Sequence, residues 1–159
     1  TFAWWDYVLS IPAPRVVVVH DLDDPPGQGA QWGEVQANIH KALGCAGVLT
    51  DGSVRDLEEV RALGFQFAAA HVSVSHAYVH MVDLGLPVKV GGLWVKPGDL
   101  IHCDQHGAVT IPAEIADRIP DAVAKVEADE RKIIGYCQSP TFSAEGLKEL
   151  YKQVRPGTY

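Results

Sequence analysis

Gly47-Val48-Leu49-Thr50-Asp51-Gly52-Ser53-Val54-Arg55-Asp56 is the stretch on which the reading of this chain turns. An apolar, β-branched run meets an Asp-Gly pair that reads as a turn. It then delivers a cation and an anion side by side, ahead of the helical pattern Leu57–Leu63. At a strand-to-helix junction, Arg55 can grip a substrate carboxylate in a two-pronged bond. Asp56 can hold a hard divalent cation such as Mg²⁺, with waters in the other positions. A second reading uses the same residues. Asp56 precedes a helix and Glu59 follows three residues later, which is the pattern of a capping box that satisfies free backbone amides and needs no chemistry.

Working outward, Ala46–Thr50 reads as a strand, Leu57–Leu63 as a short helix closed by Gly64, and Phe65–Ala70 as the next strand. Upstream, Trp32–Leu43 carries Val35, Ile39 and Leu43 at helical spacing, with Gly44 placed as its C-terminal cap. Before it, Arg15–His20 holds four consecutive valines, a buried-strand signal, and Asp21–Gly29 is a loop rich in Asp, Pro and Gly. The order β-α-β-α-β predicts parallel pairing through right-handed crossovers. Downstream the character changes. Pro87–Val90, Gly92–Val95, Asp99–Cys103 and Ala108–Ile111 are short strands separated by glycine-containing turns, the signature of antiparallel hairpins. Pro112 opens a helical stretch to about Ile134, interrupted at Pro120, and Ala144–Val154 forms a last amphipathic helix. The expectation is a mixed α/β domain: a parallel half, a short-stranded antiparallel layer and C-terminal helices.

Composition bounds the function. The chain has 159 residues, enough for one domain with a core of ordinary size. With 13 basic and 20 acidic residues its formal charge is −7, which argues against nucleic acid or an anionic membrane as partner. No apolar run approaches the ~18 residues of a membrane span. Cys45, Cys103 and Cys137 are odd in number and lack metal-finger spacing, so a reduced, cytoplasmic compartment is the simple expectation. The sequence starts without Met and opens on Phe2, Trp4, Trp5 and Tyr7, which suggests a fragment or a processed chain.

Other candidates read more weakly. The loop before Gly33-Glu34 is glycine-rich, and a loop-to-helix start is a ready anion site. Gly27, Gly29 and Gly33 echo a dinucleotide fingerprint, but the spacing is off by one and two prolines intervene, so a small carboxylate suits this helix end better than a nucleotide, and a plain flexible loop is the alternative. His71, His76 and His80 lack any metal-protease pattern and read as loop or strand-edge residues. His20-Asp21-Leu22-Asp23-Asp24, at the end of a strand, reads as a solvated acidic turn, and turn chemistry accounts for Asp104 and His106.

Three blocks in order resemble one family: Gly44–Asp56, Pro87–Leu100 and Asp104–Pro112. They look like the RraA-like group, which includes the regulator of ribonuclease activity A, the 4-hydroxy-4-methyl-2-oxoglutarate/4-carboxy-4-hydroxy-2-oxoadipate aldolases, and members labelled menaquinone methyltransferases. The resemblance runs from about Val16 to Ile134. It implies a swivelling β/β/α-type domain spanning residues 1–159, short of the family's usual N-terminal segment. Family aldolases carry an acid, twenty intervening positions, Arg-Asp, two more positions and another acid. Here Glu34, Arg55, Asp56 and Glu59 keep that spacing, with Glu34 standing where the aldolases have Asp. The resemblance therefore implies catalytic roles for Glu34, Arg55 and Asp56. Substrate is bound by Arg55 and by backbone groups of Gly33, Glu34, Val35 and Gln36, and Asp56 is the ligand for Mg²⁺ or Mn²⁺. It implies a homotrimer or hexamer, with a neighbour's C-terminal acid, Glu127 or Glu130, reaching the site. The activity implied is a metal-dependent aldolase or decarboxylase acting on 4-hydroxy-2-oxo acids or oxaloacetate through a pyruvate enolate. The alternative is a non-catalytic protein-binding regulator.

Overall fold

A computed structural model describes residues 2–157. It divides into two compact units, Thr1–Ala113 and Glu114–Tyr159. The first begins with helix α1 (Phe2–Ser10), followed by β1 (Arg15–Val19), β2 (Ala30–Trp32), α2 (Glu34–Ala42), β3 (Cys45–Val54), α3 (Leu57–Leu63) and β4 (Gln66–Val72). Two ribbons complete it, β5 (Val88–Val90) with β6 (Leu93–Val95) and β7 (Leu100–Asp104) with β8 (Gly107–Ile111).

β3 is the axis of the sheet, and all of its pairings are parallel. β4 runs along one edge, from Gly47 opposite Gln66 to Val54 opposite Val72. The other edge is shared end to end. β1 covers the first part, with Val17 opposite Val48 and Val19 opposite Thr50, and β2 covers Ser53 and Val54. The expected parallel half is thus present, with α2 and α3 as its crossovers. The antiparallel strands form two separate two-stranded ribbons, each in simple hairpin register.

Two local expectations are corrected. Asp51-Gly52 is no turn, because β3 continues through it to Val54. Between Thr50 and Ser53, β3 advances three residues while β4 advances two, from Ala69 to His71, so the pair is a bulge that re-aims the strand's end. Trp32 does not start the helix. It closes the short strand β2, and Gly33 is the N-cap. The aromatic lead is helix α1, whose Val8 enters the core. The glycine stops are as read: Gly44 and Gly64 follow α2 and α3 in the left-handed conformation that side chains resist.

The core lies between the sheet and these helices. Val8, Ala37 and Val60 from α1, α2 and α3 meet Val17, Trp32, Cys45, Val48, Val54 and Phe65. Trp32 stacks on Phe65 with ring centroids 6.4 Å apart and lies 4.6 Å from the His40 ring. His40 is almost completely buried at 2% exposure. Its Nδ1–H donates to the Gln36 carbonyl at 2.8 Å, so Nε2 is left to accept from the Trp4 indole N–H, also at 2.8 Å. That bond ties α1 to α2 and requires the neutral ring. Burial pushes the His40 pKa below the ordinary imidazole value, against a smaller opposing effect of the Gln36 carbonyl. The unfolded chain therefore binds the proton more readily, and stability rises with pH across this window. The contribution is complete above the ordinary value of about 6.5 and is lost as pH falls through the lower folded value. In thermal unfolding between pH 7.5 and 5, the midpoint should fall with acidification. His40→Gln, which keeps an acceptor for Trp4 but does not titrate, should flatten that slope, and an equal slope in both proteins would refute the assignment.

The second unit begins within a 3-10 stretch (Ala113–Arg118) and continues with α4 (Ile119–Cys137) and α5 (Ala144–Val154). The helical stretch is divided just before Pro120, as expected, into the 3-10 segment and α4. Pro120 sits in the first turn of α4, where a missing N–H costs nothing. Ser143 caps α5 by accepting from the Gly146 amide. No helix among the described residues is long and apolar enough to cross a membrane.

Candidate active site

The end of β3 and the start of α2 meet through Arg55 and Asp56. The Arg55 amide donates to the Trp32 carbonyl at 2.8 Å, continuing the β2–β3 pairing by one step. Its guanidinium then folds back, with Nη1 donating to the Ala30 carbonyl at 2.6 Å. Asp56 adopts a left-handed backbone (φ 56°, ψ 45°), the only non-glycine among the described residues with positive φ. Asp tolerates this better than most residues, at a cost of about 1–2 kcal/mol. Its carboxylate makes no bond to the amides of its own helix, α3. Instead Oδ2 accepts from the Glu34 amide at 2.8 Å and lies 3.7 Å from Arg55 Nε. The capping-box expectation is therefore corrected: the cap serves α2, 22 residues upstream, because the left-handed turn swings the carboxylate away from α3.

Gly33 makes this possible by its size. Its backbone is extended (φ −151°), which any residue can adopt. A Cβ there, however, would stand 2.5 Å from Asp56 Oδ2 and 3.0 Å from Arg55 Cγ. The glycine lets the charged pair pack directly on the start of α2. Glu34 gives its amide to Asp56 and is exposed. Val35 and Gln36 follow in the same turn, whose amides have no intrahelical acceptor and carry the positive end of the helix dipole. Arg55 and Asp56 are partly open, at 25% and 36% side-chain exposure. The structure thus brings Gly33, Glu34, Arg55 and Asp56 into one cluster, with Val35 and Gln36 beside it.

The donor set is sparse. No group of three His, Cys, Asp or Glu side chains among the described residues is placed to hold a metal. A single half-open carboxylate does not fit a closed zinc cage. It does fit Mg²⁺, which takes one or two carboxylates and keeps several waters for substrate to replace.

The remaining candidates are occupied. Asp51 accepts from the His20 ring at 2.6 Å and the Asp21 amide at 2.7 Å. Asp21 accepts from the Asp23 and Gly27 amides at 3.0 and 2.8 Å. This acidic segment staples its own loop to β3. The His106 amide, and then its imidazole, hold the Asp104 carboxyl below the usual range, as turn chemistry requires. His80 lies against Tyr78 with ring centroids 5.4 Å apart, and both are exposed. Within the second unit, Glu127 pairs with Arg131 and Glu130 with Arg155, each at 3.3 Å. Sequence reasoning missed the Ala30 carbonyl as the anchor of Arg55. A three-residue strand inside a glycine-rich loop gives no periodic signal.

The chain resembles known proteins in sequence and in fold. A protein of Halalkalibacterium halodurans named "Putative 4-hydroxy-4-methyl-2-oxoglutarate aldolase" is 29% identical over 99 residues, 62% of this chain and 47% of its own. The structure of Streptomyces coelicolor RraAS2, described as an unusual member of the RNase ES inhibitor RraA protein family, superposes with a TM-score of 0.62 at 30% identity, covering 81% of this chain and 65% of its own. An uncharacterised protein of Pseudomonas syringae pv. tomato shares the fold, with a TM-score of 0.73 at 24% identity over 95% of this chain and 69% of its own. The chain spans between about half and three fifths of the length of the first curated relatives it matches. The family model described as Aldolase/RraA matches residues 4–110, a span that contains every residue of the cluster at Gly33, Glu34, Arg55 and Asp56, and the chain belongs to the RraA-like family.

Proposed function

We propose that this chain is a divalent-metal-dependent carbon–carbon lyase that releases pyruvate from 4-hydroxy-2-oxo acids or from oxaloacetate. One observation carries the reading. The left-handed Asp56 sets its carboxylate on the Glu34 amide, with the Arg55 guanidinium alongside, at the open start of a helix. A cap of α2 needs Asp56 alone, whereas the lyase reading also gives a use to the half-open Arg55 guanidinium beside it. The aldolase name borne by the Halalkalibacterium halodurans relative supports the same reaction class.

Asp56 is the residue that would hold Mg²⁺ or Mn²⁺, and the bound cation supplies charge stabilisation at the substrate's keto oxygen. The chain's own groups do the rest. Arg55 faces the substrate's carboxylate and the adjoining oxygen, where a fixed guanidinium opposes developing negative charge. With the Glu34 amide already given to Asp56, the Val35 and Gln36 amides are the first-turn donors for the acid group. The Glu34 carboxylate accepts the proton of the C4 hydroxyl, through one water. The C3–C4 bond then breaks, its electron pair passes to the enolate of pyruvate, and C4 leaves as a carbonyl. Protonation at C3 gives pyruvate. Oxaloacetate loses carbon dioxide to the same enolate. The reading carries a ring-forming homotrimer or hexamer with it, which sedimentation checks.

The test is coupled detection of pyruvate from oxaloacetate or a 4-hydroxy-2-oxo acid. Turnover should exceed the metal-only background, require Mg²⁺ or Mn²⁺ and vanish with chelator. Absence of turnover with every such substrate would reject the reading. A second reading, a non-catalytic regulator, is favoured by the net charge of −7, which suits a basic partner, and by the likeness to RraAS2. Capture of a ribonuclease by a protein without metal-dependent turnover would establish it instead.

A further inference from the structure

We propose that the backbone of Ser75–Ala77 positions the Arg55 clamp through the Ala30 carbonyl, with Gly29 as the position that admits it; the inference rests on the lyase reading above. Ala30 is completely buried and is held from both sides. Its amide donates to the Ser75 carbonyl at 2.7 Å. Its carbonyl accepts from the Ala77 amide at 3.3 Å and from Arg55 Nη1 at 2.6 Å. These bonds form an isolated parallel bridge between Ala30 and His76. A peptide oxygen with two lone pairs can serve both donors, so the Ala77 amide and Arg55 share one acceptor. Fixing the peptide groups on both sides of Ala30 fixes where that oxygen points, and hence where the guanidinium sits.

The segment has little else to hold it. Ser73 donates to the Val54 carbonyl at 3.1 Å as the chain leaves β4, and beyond that Val74 and Tyr78 are 97% and 93% exposed. Its approach depends on Gly29. A Cβ at Gly29 would lie 2.8 Å from Ala77 Cα, a backbone atom that cannot rotate away. Gly29 has no positive φ, so the demand is for space alone. Gly29→Ala is therefore a wedge beneath Ser75–Ala77 that adds no backbone strain of its own.

Kinetics of Gly29→Ala with oxaloacetate should show kcat/KM lowered about tenfold, with KM raised and kcat lowered together, because the clamp both holds the carboxylate and opposes charge on the reacting oxygen. The same wedge placed in an Arg55→Ala background should change kcat/KM less than twofold, since the group it displaces is gone. Val74→Ala, on the exposed side, should behave as wild type. Equal losses in both backgrounds would overturn the proposal, as would no loss in either. The guanidinium NMR signals of Arg55, assigned by their disappearance in Arg55→Lys, read the same point without turnover. In Gly29→Ala they should collapse to the exchange-averaged signals of a solvent-exposed arginine, and unchanged signals would overturn the positioning role even in an active enzyme. Changed signals in a protein whose wild type lacks turnover would sustain the positioning role and reject only the lyase reading. If Gly29→Ala does not fold, Ala77→Pro deletes the second donor to Ala30 without touching the core, and the same criteria apply to it.

Discussion

Asp56→Asn should fold as the wild type does and lose metal-dependent turnover by at least about a hundredfold. Asn is the informative replacement. It tolerates the left-handed backbone that Asp56 adopts at φ 56°, and its side-chain carbonyl can still accept from the Glu34 amide. What it removes is the negative charge that a hard cation requires. Asp56→Ala would mix that loss with strain at a position built for Asp or Asn, and with an uncapped α2. Thermal unfolding within a few degrees of wild type, together with loss of Mg²⁺-dependent pyruvate release, would assign Asp56 to the metal. Full turnover in Asp56→Asn would reduce the residue to a cap for α2.

The second large effect is expected at Arg55. Arg55→Lys keeps the positive charge but gives up the planar fork. One arm of that fork is committed to Ala30 at 2.6 Å, which leaves the remaining N–H groups to meet substrate in fixed orientation. A lysine ammonium that reaches for Ala30 turns away from substrate, and one that reaches for substrate leaves the buried Ala30 carbonyl with the Ala77 amide as its remaining donor. Charge-assisted bonds of this kind are worth about 1.5–3 kcal/mol, so kcat/KM should fall roughly 10- to 150-fold. KM should rise because the carboxylate is held less well, and kcat should fall because charge on the reacting oxygen is less well opposed. A wild-type kcat/KM in Arg55→Lys would show that charge alone suffices and that the geometry at Ala30 is incidental.

Much of this was legible in the sequence because the signals are local. Four valines at Val16–Val19, the helical spacing of Val35 and Ile39, and the stops at Gly44 and Gly64 place the parallel half without reference to anything distant. The readings that needed correction, and the helix α1 that the sequence did not announce, depend on distant partners. Asp51-Gly52 has turn chemistry, but pairing with β4 on either side of it, at Thr50 and at Ser53, carries the strand on and makes the extra residue a bulge. Helix α1 is stabilised by Trp4 on His40 and by Val8 in the core, contacts that no local pattern announces. Asp56 followed by Glu59 reads as a capping box for the next helix. The acceptor is instead claimed by an amide 22 residues earlier, and only the left-handed backbone reveals why. The role of Ala30 is less legible still, since its bonds are all made by the main chain and alanine carries no chemical signal. In the site, then, residue types marked Arg55 and Asp56, family resemblance added Glu34, and tertiary structure supplied the geometry that joins them.

The central claim is that Asp56 and Arg55 form a metal-assisted clamp for a 2-oxo acid at the start of α2. Its most direct test is the rate of pyruvate release from oxaloacetate above the metal-only background, measured side by side for wild type and Asp56→Asn with Mg²⁺ and with chelator. The account requires a wild-type rate that chelator abolishes and that Asp56→Asn lacks at equal folded concentration. A rate that survives chelation, or that Asp56→Asn retains in full, would contradict it.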